Sequence, residues 1–124
     1  LRGCGSGNEY VAVTPDGDIY PCHQFVGYDE YKMGNLFDGT FSREMKNSFA
    51  AAHIYSKEEC TKCWARFYCS GGCNANNYIY TGNILTAHKL SCEIQKKRLE
   101  CAIMIKAAKF ARENEQSGIN AQAE

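Results

Sequence analysis

The spacing of its cysteines constrains this chain more than any other feature. The 124 residues contain eight cysteines, and four of them form the pattern C-x2-C-x5-C-x3-C. Two thiolates separated by two residues can bind one metal centre without straining the intervening chain. The pattern therefore favours metal or cluster ligands in a reducing compartment over the disulfides of a small secreted scaffold. The eight residues are Cys4, Cys22, Cys60, Cys63, Cys69, Cys73, Cys92 and Cys101.

Charge and hydropathy exclude several partners. Lys and Arg together number 14, as do Asp and Glu, so the balance gives no reason to expect binding to nucleic acid or to an anionic membrane surface. No apolar run approaches the roughly 18–20 residues of a membrane span. We therefore expect a cytoplasmic domain with neither a nucleic-acid partner nor a membrane partner.

A β-hairpin is predicted near the N-terminus. Residues 10–14 alternate and contain β-branched side chains, residues 15–18 (PDGD) are a strong turn signal, and residues 19–20 resume the extended run. The hairpin would place Cys22 just beyond its second strand. Residues 23–40 are predicted as loop, with a short extended piece at 32–36.

Helices are predicted in the remainder of the chain. Ser42 caps a helix over 42–52 with Phe41, Met45 and Phe49 on one stripe, and a capping box at 56–59 leads into Cys60. A short helix follows Cys73 and ends near Gly82. A long helix covers 91–113, and 114–124 is predicted to be a polar, disordered tail. The fold class is therefore α+β, with one domain over residues 1–113.

The full cysteine pattern also includes upstream and downstream members. Cys4 is followed by Gly17-x4-Cys22, then by the four closely spaced cysteines, and finally by Cys92. This pattern resembles the SPASM domain, a C-terminal extension of many radical SAM enzymes. The resemblance implies two auxiliary 4Fe–4S clusters and a small domain of hairpin, short helices and cluster-binding loops. It assigns Cys4, Cys22 and Cys73 to the first cluster and Cys60, Cys63, Cys69 and Cys92 to the second.

Two longer segments indicate which radical SAM enzymes this chain resembles. Residues 15–25 and 63–73 are similar to the maturases of SCIFF peptides, which implies thioether formation in a cysteine-rich precursor peptide. The anaerobic sulfatase-maturing enzymes share similar segments and remain an alternative. A zinc-stapled module that only recognises peptide is a second alternative, because thiolates bind zinc readily and aerobic preparations can contain it.

The motif that would bind the SAM-cleaving cluster, CxxxCxxC, is absent. Cys69 and Cys73 provide its first half, but residues 74–76 (NAN) continue without a third cysteine. We therefore expect S-adenosylmethionine and a third 4Fe–4S cluster to bind a radical SAM barrel outside this chain. That barrel would be a partner of this domain, and the chain alone should be inactive.

Seven cysteines cannot ligate every iron of two four-iron clusters. The eighth ligand is either a cysteine upstream of Leu1 or a thiolate of the substrate peptide at an open iron of the first cluster. Cys101 is predicted to be a small buried apolar residue instead of that ligand, because nine residues of helix would separate it from Cys92. Trp64, Phe67 and Tyr68 are predicted to shield the second cluster from water.

Overall fold

The fold combines a small sheet with five helices, which confirms the α+β class. The computed structural model describes residues 3–121, with side chains described as far as residue 115. The chain divides into two units, Leu1–Lys89 and Leu90–Glu124. The strands are β1 Ala12–Val13, β2 Asp18–Tyr20, β3 Gly34–Asn35 and β4 Thr40–Phe41. The helices are α1 Arg43–Ala51, α2 Glu58–Thr61, α3 Arg66–Cys69, α4 Asn74–Thr81 and α5 Lys89–Ala121.

The predicted N-terminal hairpin is confirmed. Strands β1 and β2 pair antiparallel, with Ala12 opposite Tyr20 and Val13 opposite Ile19. Gly17 occupies the turn with φ 82°, a conformation that glycine adopts without a steric penalty. The second strand ends at Tyr20, and Cys22 follows after Pro21 and is 4% exposed. The first cluster-ligand candidate after the turn therefore lies in the interior.

A second hairpin, β3–β4, extends the sheet beyond the prediction. The extended piece predicted at 32–36 is confirmed as β3. The sequence predicted a loop at Thr40 and placed Phe41 on a helical stripe, which is wrong, because both residues form β4. Gly34 explains the difference, because a Cβ there would lie 2.1 Å from the carbonyl oxygen of Thr40. Only glycine permits this close backbone approach. The sheet order is therefore β1-β2-β3-β4, with all pairs antiparallel.

Helix α1 begins as predicted. The Ser42 hydroxyl accepts a hydrogen bond from the Met45 amide at 3.1 Å, which is N-cap geometry. The capping box predicted at 56–59 does not form. The Ser56 hydroxyl instead donates to the carbonyl oxygens of Ala51 and His53, at 2.6 and 2.9 Å. It thereby closes the loop after α1 and leaves Lys57 as the N-cap of α2.

The apolar core of the first unit surrounds Phe25. Its ring packs edge-on against Phe49 at 5.4 Å and tilted against Tyr31 at 4.5 Å. Cys22 belongs to this core, and Cys73 packs against it. The core therefore holds two candidate ligands from distant parts of the chain. Its buried members are Tyr20, Cys22, Phe25, Phe49, Ala52, Ala75 and Ile84.

The C-terminal helix is longer than predicted. Helix α5 covers Lys89–Ala121, whereas the sequence predicted 91–113 followed by a disordered tail from 114. The stretch 114–121 contains no proline, and its single glycine costs only about 1 kcal/mol within a helix. The described helix therefore continues beyond residue 113, and the division into a domain over 1–113 and a tail over 114–124 stays a prediction; residues 122–124 lie outside the described part of the chain.

Among the described helices, none combines the length and the apolar character needed to cross a bilayer.

Candidate iron–sulfur centre

Three cysteines that are far apart in sequence lie within electrostatic reach of Tyr10. The Tyr10 hydroxyl donates to Cys4 Sγ at 3.7 Å. Burial, this hydrogen bond and the negative charges of Cys4, Cys22 and Cys73 raise the pKa of Tyr10 to about 12. The same three cysteines also influence one another, because the charges of Cys73 and Cys4 add to the effect of burial in raising the pKa of Cys22. They are the set that the resemblance assigns to the first cluster.

The surroundings of Cys4 lower the pKa of its thiol. Burial acts to raise that pKa, but hydrogen bonds from the Ser6 amide and the Tyr10 hydroxyl help to outweigh the effect of burial. A thiolate is the form that ligates iron. Cys4 is also exposed, so this ligand lies at the surface of the first unit.

Donors near the other two sulfurs are also present. The carboxamide of Gln24 lies 3.8 Å from Cys73 Sγ and donates its N–H to it. The backbone amides of Gln24 and Phe25 donate toward Cys22 and oppose the rise in its pKa that burial causes. Such hydrogen bonds orient ligand sulfurs and stabilise their negative charge.

Cys60 and Cys69 lie on two short helices, and Cys63 lies in the segment between them. Cys60 is buried on α2, and its carbonyl accepts a hydrogen bond from the Cys63 amide at 3.1 Å, which closes the C-x2-C turn. Cys69 ends α3, and Ser70 follows in the left-handed conformation with φ 56°. Cys60, Cys63 and Cys69 therefore belong to adjacent turns of the first unit. Cys92 lies on α5 in the second unit, and its place in this ligand set stays a prediction.

Arg66 offers a hydrogen bond to a ligand of this second set. Its Nε is buried, with less than 1 Å² accessible, and has no acceptor within the described residues. Nη1 donates to the Thr61 carbonyl at 2.7 Å, and the guanidinium lies 4.7 Å from the centre of the Phe67 ring. A buried donor of this kind is normally satisfied. The sulfides of a cluster accept hydrogen bonds, so an unsatisfied donor between Cys63 and Cys69 fits such a group.

The chemistry of the donor set suits an iron–sulfur cluster. Within the described residues, no three His, Cys, Asp or Glu side chains are grouped around one point. A four-iron cluster places its thiolates on different iron atoms, so they stand further apart than ligands of one zinc ion. The donor set of thiolates flanked by N–H groups therefore fits a cluster.

Two predictions about side chains near these cysteines are corrected. Trp64, Phe67 and Tyr68 are 50, 51 and 72% exposed, so the predicted shield is not formed among the described residues. Cys101 was predicted to be buried but is exposed on α5. The apolar pattern of α5 caused this error, because Ile103, Met104 and Ile105 beside it are also more than half exposed.

Tyr10 and Gln24 are functional candidates that the sequence did not reveal. Tyr10 was interpreted only as a strand residue, and Gln24 only as part of a loop. Each depends on a contact with a cysteine that the fold creates, six residues away for Tyr10 and 49 residues away for Gln24. No local sequence signal distinguishes them from other exposed tyrosines and glutamines.

Comparison with known families finds a match for part of the segment that contains these cysteines. Residues 4–64, just under half of the chain, match SPASM, described as an iron–sulfur cluster-binding domain. The match includes Cys4, Cys22, Cys60 and Cys63. Cys69, Cys73 and Cys92 lie beyond its end.

Individual relatives extend the similarity. An uncharacterized protein of Archaeoglobus fulgidus is 33% identical over 96 residues, which is 76% of this chain and 23% of that protein. Cysteine-type anaerobic sulfatase-maturating enzymes from two strains of Clostridium perfringens are 38 and 36% identical over 66 residues. Those matches cover 49% of this chain and 17% of each enzyme. The chain thus spans less than a quarter of the length of these relatives, while its cysteine-bearing segment matches the SPASM iron–sulfur domain and is related to sulfatase-maturating enzymes.

Proposed function

We propose that this chain is the auxiliary iron–sulfur domain of a radical SAM enzyme that modifies a peptide. The observation that carries the proposal is that the fold brings Cys22 and Cys73 to one apolar core and gives hydrogen-bond donors to Cys4 and Cys73. The Cys4 and Cys73 sulfurs have hydrogen-bond donors beside them, as ligand thiolates require. The SPASM match across 4–64 supports iron–sulfur clusters as the group that these thiolates hold.

The proposed ligand sets follow the resemblance. Cys4, Cys22 and Cys73 hold the first cluster, and Cys60, Cys63, Cys69 and Cys92 hold the second. When bound, the clusters supply electron transfer and an iron site that can hold a thiolate. The chain's own residues hold these sulfurs in place: the core around Phe25 fixes Cys22 and Cys73, and Ser6 and Tyr10 favour the Cys4 thiolate.

The first set has three cysteines. The source of the fourth ligand determines which of two roles this domain has. In one, a cysteine elsewhere in the longer protein completes the set, and the domain only transfers electrons. In the other, a cysteine thiolate of the peptide completes it, so that the domain also positions the sulfur that reacts. The exposure of Cys4 supports the second role, because it places the incomplete set at the surface of the first unit.

For the whole protein, we propose thioether formation of the SCIFF type, in a cysteine-rich peptide. A hydrogen atom leaves a peptide α-carbon for the radical derived from S-adenosylmethionine, and a proton leaves the peptide thiol. The sulfur–carbon bond would then form, and a cluster held by the cysteines of this domain would supply the oxidant for the remaining electron. The similarity of segments 15–25 and 63–73 to the SCIFF maturases supports this proposal.

A second candidate is favoured by the relatives. The Clostridium perfringens proteins are cysteine-type sulfatase-maturating enzymes, and their similarity supports oxidation of a cysteine in a sulfatase peptide. In that reaction, the cysteine side chain would lose a hydrogen atom to the radical, and a proton and an electron would also leave, the electron to an oxidant such as a cluster. Water would then supply the aldehyde oxygen, and the sulfur would leave as hydrogen sulfide. The two candidates share the radical step and differ in the fate of the sulfur.

Mass spectrometry of peptide products tests the proposal. The full-length protein, with its barrel, is incubated with S-adenosylmethionine, a reductant and either a cysteine-rich peptide or a cysteine-type sulfatase peptide. A product that lacks two hydrogens and contains a thioether supports the first candidate. A product in which an aldehyde replaces the thiol supports the second. If neither peptide reacts while S-adenosylmethionine is cleaved, peptide modification is contradicted.

A further inference from the structure

Lys57 is buried in the interior of the first unit. Its side chain is only 1% exposed, which is rare for lysine. Nζ donates to the carbonyl oxygen of Gly71 and to Oδ1 of Asn74, both at 2.9 Å. These two bonds hold the amino group in a fixed position.

The position of Lys57 relates it to both predicted ligand sets. Its carbonyl accepts a hydrogen bond from the Cys60 amide at 2.9 Å, so its backbone leads directly into the second set. Its side chain ends at Gly71, which lies midway between Cys69 and Cys73, and at Asn74, which adjoins Cys73. The loop from Cys69 to Cys73 contributes one ligand to each set. Lys57 therefore contacts the segments that carry Cys60, Cys69 and Cys73, which include members of both sets.

A cation at that place has a direct effect on bound clusters. A cluster held by thiolates carries net negative charge, and each added electron increases that charge. A nearby buried cation stabilises the more negative form, and weak screening in the interior strengthens the effect. We propose that Lys57 is a positioning residue whose ammonium group offsets the charge of both ligand sets and raises the reduction potential of their clusters. This inference rests on the proposed binding of clusters by these cysteines.

The alternative is that Lys57 only connects two loops by hydrogen bonds. Three substitutions separate charge from connection. Lys57→Met removes both the charge and the donors, Lys57→Gln keeps a donor without the charge, and Lys57→Arg keeps both. Lys46 is exposed on α1, so Lys46→Met is a matched control for the loss of one charge to solvent.

The measurement is a redox titration of the anaerobically reconstituted chain followed by EPR, with iron and sulfide assayed in each sample. At a fixed potential, Lys57→Met and Lys57→Gln should lower the ratio of reduced to oxidised cluster by about tenfold, which equals about 59 mV for one electron. Lys57→Arg should remain close to the wild type, and Lys46→Met should not change the ratio. Unchanged potentials in either loaded neutral variant would overturn the inference.

Variants that do not load also give an answer. If both neutral variants lose their clusters while Lys57→Arg keeps them at the wild-type potential, charge is required and the inference stands. If Lys57→Arg loses them as well, the residue has a structural role and the inference is overturned. A wild-type chain that binds no iron would instead contradict the proposed function.

Discussion

The carboxamide nitrogen of Gln24 lies 3.8 Å from the sulfur of Cys73, although 49 residues separate the two in sequence. Gln24 follows the first hairpin, and Cys73 immediately precedes α4. The contact therefore depends on the tertiary fold, and it supplies a donor to a candidate ligand that only the folded chain can provide.

Replacement of Gln24 tests whether that donor acts on a bound cluster. An N–H···S bond stabilises a thiolate more strongly as its negative charge grows, so its loss disfavours reduction. We expect Gln24→Met to load normally and to lower the ratio of reduced to oxidised first cluster by about threefold at a fixed potential. EPR-monitored titration measures this ratio, with exposed Asn47→Ala on α1 as the control. Identical titration curves for the two variants would contradict the role.

Substitution at Gly34 tests the close approach of β3 and β4. Gly34 has φ 149°, and an added Cβ would lie 2.1 Å from the Thr40 carbonyl oxygen. We expect Gly34→Ala to lower the free energy of unfolding by about 3 kcal/mol or more. Gly39 has φ 67° but open space around it, so Gly39→Ala should cost only about 1 kcal/mol. Urea unfolding compares the two, and equal losses would refute the clash.

Alkaline pH should weaken the contact between Tyr78 and Glu30. The Tyr78 hydroxyl donates to the Glu30 carboxylate, and this bond is the main cause that raises the pKa of Tyr78 from 10.0 to about 12. A raised pKa in the folded state means that the stabilisation is complete below pH 10 and is lost as the pH rises toward 12. The same bond lowers the pKa of Glu30 below 4.5. The stabilisation from this bond is therefore complete above pH 4.5 and is lost only as the pH falls below that value.

Tyr78→Phe provides the measurement. The wild type should be more stable than this variant at pH 7–9, and the difference should shrink as the pH rises above 10. Thermal unfolding from pH 7 to 11 follows the change, with exposed Tyr55→Phe as the control. A difference that stays constant over that range would show that the hydroxyl does not stabilise the fold through Glu30.

Cys92 and Cys101 provide an internal comparison on α5. Nine residues of helix separate them by about 13 Å and place them on different faces, so both cannot reach one compact cluster. We expect Cys92→Ala to lose iron and Cys101→Ala to retain the iron content and EPR spectrum of the wild type. Loss of a cluster in Cys101→Ala would reverse this assignment.

Local signals predicted those parts of the fold that depend on short-range chemistry. The turn at Gly17 predicted the first hairpin, Ser42 predicted the start of α1, and Gly82 predicted the end of α4. In each case, one residue determines the backbone through a cap or a positive φ. These features could be recognised without knowledge of the rest of the chain.

Features that depend on distant contacts were missed. Phe41 fits a helical stripe by spacing, yet it pairs in β4 because Gly34 permits the strand to approach. Ser56 fits a capping box, yet its hydroxyl bonds to carbonyl groups after α1. Nothing local predicted the burial of Lys57, because its acceptors lie 14 and 17 residues further along the chain.

The candidate site was also predicted only in part, because some of its residues depend on distant contacts. The cysteine spacing suggested cluster ligands, and the family resemblance grouped Cys4 with Cys22 and Cys73, which the fold brings within electrostatic reach of Tyr10. The donors Tyr10 and Gln24 became recognisable only in the structure, because each is defined by its distance to a sulfur.

The central claim is that the cysteines of this chain hold two 4Fe–4S clusters. Iron, acid-labile sulfide and zinc should be assayed together after anaerobic reconstitution, with the absorption spectrum recorded near the charge-transfer region of thiolate-bound iron. We predict about eight iron and eight sulfide per chain, with little zinc. Stoichiometric zinc that persists after anaerobic expression with added iron, without sulfide, would contradict the account.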